Sequence, residues 1–160
     1  MIIVQKEWLE NEIAKSEVKG KLPDVIVEKY FLWKSNEKSR KRLFELLTGK
    51  GIFKCDYNDF CNFFVIDNYV SKNKKIEWVY EPMNKRQIAY LFHRLIDHKF
   101  ISEEQRRRIG VIVSHGICES GGNSIRAISI QKTYSNLKIT GKNKSEPLKV
   151  VDEIISELIK

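Results

Sequence analysis

The chain has 160 residues, enough for one domain with its own core or for two small lobes. Hydrophobic residues make up 42% and charged residues 31%, a balance that excludes an intrinsically disordered chain. The formal net charge is +8, with an excess of +3 in residues 1–80 and +5 in residues 81–160, so the favoured class of partner is a polyanion.

Residues 1–8 lack the basic n-region and long apolar stretch of a signal peptide. No apolar run approaches the ~20 residues of a membrane span, so a cytoplasmic location is expected. Over 5–19, Trp8, Leu9 and Ile13 share a face, which predicts a first helix punctuated by Gly20 and Pro23. Pro23 suits the start of a second helix with Val27, Tyr30 and Phe31 inward. Ser35 or Asn36 would cap a third, burying Leu43, Phe44, Leu46 and Leu47 and stopping at Gly49. Asp56 would cap a fourth, rich in aromatics: Tyr57, Phe60, Phe63, Phe64 and Tyr69. The charged stretch 71–75 is the candidate boundary between two lobes, and Ile76 to Tyr80 reads as a short strand.

The stretch that follows organises the rest. Ile88, Leu91, Phe92 and Leu95 recur at helical spacing behind an Asn84 cap, predicting a helix over 84–98, while Pro82 keeps the residue before it extended. Ser102 opens another, with Glu103 and Glu104 in its first turn and Ile109, Val111, Ile112 and Val113 inward, ending before Gly121. Asn123 or Ser124 restarts the chain into a shorter helix burying Ile125, Ile128, Ile130, Tyr134 and Leu137. A basic loop over 140–145 leads to Ser145, which would cap a last helix burying Leu148, Val151, Ile154, Ile155 and Leu158.

The C-terminal half also carries a resemblance. Trp78, then Ile88-Ala89-Tyr90-Leu91-Phe92, Leu95-Ile96 and Phe100-Ile101-Ser102, resembles a recurrent pattern in small proteins of Bacteroidetes mobile elements. Ile112-Val113-Ser114-His115, Ser129-Ile130, Lys132-Thr133-Tyr134-Ser135 and the final Val151 to Ile155 segment fit as well. The named group it resembles is the RteC-type regulators of conjugative transposons. That resemblance, over roughly residues 76–160, implies a helical N-terminal part and a winged-helix-like DNA-binding part. The expected fold class is therefore mostly α: a helical bundle over 1–75 and a helix-turn-helix or winged-helix-like lobe over 76–160, with at most one short β element.

A helix that enters a groove needs polar and basic side chains opposite its core stripe, with flanking cations for phosphate. From Asn123 to Lys149 there are six basic residues, Arg126, Lys132, Lys138, Lys142, Lys144 and Lys149, against the single acid Glu146. Gln131, Lys132, Ser135 and Asn136 are the candidates for reading bases. Lys85, Arg86, Arg106, Arg107 and Arg108 would join Arg126, Lys138, Lys142 and Lys144 on phosphate. The same charges would also suit a merely solvated face. A second cluster, Lys38 to Arg42, sits at a predicted helix start, where cations oppose the macrodipole.

Other chemistry is weaker. Cys55, Cys61, His93 and His98 are spaced too widely for a tight zinc cage, and reduced thiols account for the cysteines. His115 and Cys118 would share a face if helical, before a glycine turn, but no third group completes a nucleophile. Phe60, Phe63 and Phe64 suit a core better than a base-stacking platform. The function expected is non-catalytic binding of double-stranded DNA in transcriptional or mobile-element regulation, without metal or cofactor. The alternative is a helical module that dimerises or docks a protein.

Overall fold

The computed structural model of the chain describes residues 29–66, 74–138 and 144–160. The expectations for a helix over 5–19, for the Pro23 to Val27 helix start, for Tyr69, for the connector at 71–73 and for the loop at 140–143 fall outside them. Among the described residues there are six α-helices, one 3-10 helix and five short strands in two sheets. This overturns a mostly α fold with at most one β element.

Phe31 is not part of a helical stripe; Phe31–Leu32 is strand β1. Asn36 then opens α1 (Glu37–Gly49) by accepting the Ser39 N–H at 2.8 Å. Leu43 and Leu47 are fully buried on its inner stripe. Gly49 ends the helix, but the left-handed turn comes two residues later, at Gly51. After β2 (Phe53–Lys54), Asp56 holds the N-cap position of α2 (Tyr57–Phe63), and Phe64–Val65 leaves it directly as β3.

β1 and β3 pair in parallel, Phe31 opposite Phe64. The second sheet has β4 (Ile76–Trp78) in the middle, antiparallel to β2 and parallel to β5 (Ile117–Glu119). Parallel neighbours require a crossover. Here it carries α3 (Lys85–Asp97), the 3-10 helix Glu103–Arg108 and α4 (Ile109–Gly116). Residues 117–119, expected at the end of a helix, are therefore the third strand of a sheet.

The core gathers residues from both sides of position 75. Phe31 stacks on Phe92 of α3 at 4.6 Å and meets Phe63 edge-on at 5.3 Å. Phe60 and Phe64 lie 4.7 Å apart, and all five of these rings are at most 1% exposed. Burying a ring of this size contributes roughly 1.5–3 kcal/mol. Gln105, also buried, ties the 3-10 helix to β1: its amide donates to the Tyr30 carbonyl at 2.6 Å and accepts from the Leu32 N–H at 2.7 Å.

The chain continues as α5 (Ala127–Ser135) and α6 (Glu146–Leu158). Leu148, Val151, Ile154, Ile155 and Leu158 are all buried, as their spacing predicts. α6 lies against both α1 and α3. The segment between α4 and α5 contains β5 and a tight reversal at Gly121-Gly122, closed by an antiparallel bridge from Cys118 to Ser124. A helix-turn-helix joins its helices by a turn of about 3–4 residues; this longer, strand-bearing link departs from that expectation. No helix among the described residues is long and apolar enough to cross a membrane.

Candidate nucleic-acid interface

The site is built on α5. Ile130 is fully buried and Tyr134 partly so, which fixes the inner side of the helix. The outer side follows from the 3.6-residue period: Ile128, Lys132, Ser135 and Asn136 fall on one face, and all four are exposed. Ile128 was expected inside; it is 75% exposed. It lies two residues from Ile130 and six from Tyr134, out of phase with both, and that offset is the signal its hydrophobicity masks.

Close backbone contact locks α5 to α4. A Cβ added at Gly110 would stand 2.2 Å from the Ala127 carbonyl oxygen and 2.9 Å from the Gln131 Cβ, so only glycine allows the crossing. Gln131 completes the lock. Its Oε1 accepts the Gly110 N–H at 2.9 Å, and its Nε2 donates to the Arg106 carbonyl at 3.4 Å. Expected to read bases, Gln131 is engaged within the fold.

Cations from distant segments flank the outer face of α5. On one side the Lys85 ammonium, at the start of α3, donates to the Ser129 hydroxyl at 2.9 Å, across 44 residues of sequence. On the other, Arg106 and Arg107 share a depression with Gln131, Tyr134 and Ser135. Arg86 and Arg108 are exposed near these groups in sequence, and Arg126 is exposed at the N-cap position of α5. Lys138 follows α5 and lines a second depression with His93, Arg94 and Asp97. Lys142 lies outside the described residues.

Lys144 is engaged elsewhere. Its ammonium donates to Asp152 at 2.5 Å and stands 5.7 Å from the centre of the Tyr90 ring. Tyr90 donates to the same carboxylate at 2.6 Å. The group fastens α6 to α3.

The electrostatics of the depression match its composition. Burial lowers His93; Asp97 opposes this, while Arg106 and Arg94 add to it, so the neutral ring is favoured. Burial raises Tyr134, with Arg106 opposing and Glu103 and Asp97 adding.

The remaining candidates separate. Arg40 of the second basic cluster donates to the Phe64 carbonyl at 2.8 Å, and Arg42 pairs with Glu157 at 3.3 Å, so both serve the packing around α1. His115 lies in the last turn of α4 whereas Cys118 lies in β5, so they do not share a helical face. Burial and Glu77 raise the Cys118 thiol, with Lys75 opposing, which leaves a poor nucleophile. Burial, with Asp59, Asp56 and Cys61, pushes Cys55 up to about 12. Among the described residues no three His, Cys, Asp or Glu side chains are grouped to hold a metal ion. No protein-family model, no curated protein and no solved structure matches the chain.

Proposed function

We propose that the protein binds double-stranded DNA, without catalysis, by presenting the outer face of α5 to a groove. One observation carries this reading: that face lies between the Lys85 ammonium on one side and the Arg106-Arg107 pair on the other. A helix seated in the major groove has a phosphate backbone on each side, and cations on both flanks answer that geometry. The sequence around α5 supports it, since no Asp or Glu occurs between Glu119 and Glu146. The starts of α3 and α5 carry no acid in their first turns, while Lys85, Arg86 and Arg126 place cations there. Cations at a helix start oppose its macrodipole, and a phosphate at that position relieves the cost.

In this arrangement Lys132, Ser135 and Asn136 face the bases, Lys85, Arg106, Arg107 and Lys138 contact phosphate, and Gln131 positions α5. The resemblance to RteC-type regulators agrees with a role in transcription or mobile-element control. The test is fluorescence anisotropy with a labelled random duplex at low and at physiological salt. Binding that weakens steeply with salt is expected; no binding at low salt overturns the proposal.

A further inference from the structure

Resting on that reading, we propose that Ile128 reads thymine, its side chain packing on a 5-methyl group in the major groove. The observation is the position of one apolar side chain. Ile128 is 75% exposed, against 53% for Ile159, 40% for Val111 and 36% for Ile66, the other large hydrophobic residues standing out from the surface among the described residues. A scattered surface hydrophobe is ordinary. This one projects from the outer face of α5 with Lys132 one turn on and Ser135 nearly two turns on, between the cationic flanks. An aliphatic group 75% exposed to water costs solvation in the free protein. In the major groove the thymine methyl is the one apolar group on a base edge, and A·T, T·A, G·C and C·G pairs are told apart partly by it.

The helix also sets a register. Lys132 lies about 6 Å further along the α5 axis than Ile128. At ~3.4 Å per base pair along one strand, that step covers about two base pairs. A lysine in the groove favours guanine O6 and N7. The preferred site therefore holds a thymine about two base pairs from a guanine.

The experiment uses the full chain. Duplexes are selected from a randomised pool, and each thymine of the preferred duplex is replaced in turn by deoxyuridine, which lacks only the methyl. The expected result is one position where deoxyuridine weakens binding about fourfold, the value of one buried methyl. Ile128→Ala should bind the thymine and deoxyuridine duplexes equally, with its salt dependence unchanged. Ile128 is exposed, and alanine is the better helix former, so the variant should fold. Salt-sensitive binding without sequence preference overturns the inference and leaves the proposed function standing. So does equal affinity of the parent chain for thymine and deoxyuridine at every position, or discrimination that persists in Ile128→Ala. Salt-resistant self-association abolished by Ile128→Ala, with no thymine discrimination, would assign the side chain to a protein contact and overturn it too. Absence of any duplex binding sinks both readings.

Discussion

At the scale of single residues, two backbone positions decide whether α5 and α3 sit where they do. Gly110 permits the α4–α5 crossing, because a Cβ would fall 2.2 Å from a carbonyl oxygen that belongs to the opposing helix. Gly110→Ala must push the helices apart and stretch the bond from the Gly110 N–H to Gln131. Overpacking costs about 1–3 kcal/mol, and an orphaned buried N–H adds a comparable amount. Urea denaturation should show the sum, and a midpoint equal to that of the parent chain would contradict the crossing. Lys99 behaves in the opposite sense. It ends α3 with φ 65°, while the Lys99 and Phe100 N–H groups bond back to Ile96 and Leu95 at 2.9 Å each, a Schellman closure. A side chain in that left-handed conformation is strained, so Lys99→Gly should stabilise the protein by about 1 kcal/mol. Thermal melting in parallel with the parent chain checks it.

At the scale of elements, α6 is held to α3 by a charged cluster as well as by its apolar stripe. Burial pushes the Asp152 carboxyl up, but hydrogen bonds from Lys144 and Tyr90, with the Lys144 and Arg94 charges, outweigh it and leave the carboxyl below its ordinary range. A depressed folded pKa means that the unfolded chain binds the proton more tightly. The contribution of Asp152 is therefore complete above the ordinary carboxylate value of about 4 and is lost as pH falls through the lower folded value. Asp152→Asn should lower stability at neutral pH and flatten the acid limb of a denaturation series taken down to about pH 2. An unchanged acid limb would remove the cluster from the account of how α6 docks. The elements differ in how well the sequence announces them. α1, α3 and α6 are legible because a capping residue and a three-turn apolar stripe coincide. β1, β3 and β5 are not, because strands of two or three residues are too short to show alternation, and runs such as Phe63-Phe64-Val65 fit a buried helix equally well. The charge of the candidate site is visible in the sequence. The internal engagement of Gln131 and Lys144 is not, because their partners lie on other elements, as does the approach of Lys85 to Ser129.

At the scale of the whole molecule, the proposed reading makes the +8 charge count where the fold concentrates it. A uniformly basic surface would attract DNA with each cation contributing alike, so removing any one would change binding equally. The proposed interface is a single face instead. Arg42, Lys50 and Lys144 are paired with Glu157, Glu153 and Asp152, whereas Lys85, Arg106, Arg107, Lys132 and Lys138 gather around α5. If the four of these that contact phosphate, Lys85, Arg106, Arg107 and Lys138, each neutralise one, the logarithm of affinity should fall against the logarithm of salt with a slope of about −3 to −4. Arg107→Ala and Lys85→Ala should each reduce that slope by about one and weaken all sequences alike. Lys41→Ala, in the groove between α1 and α6, should leave the slope unchanged although it removes the same net charge. Equal effects from Lys41 and Arg107 would show that net charge alone attracts the duplex, and the α5 face would lose its claim to be the interface.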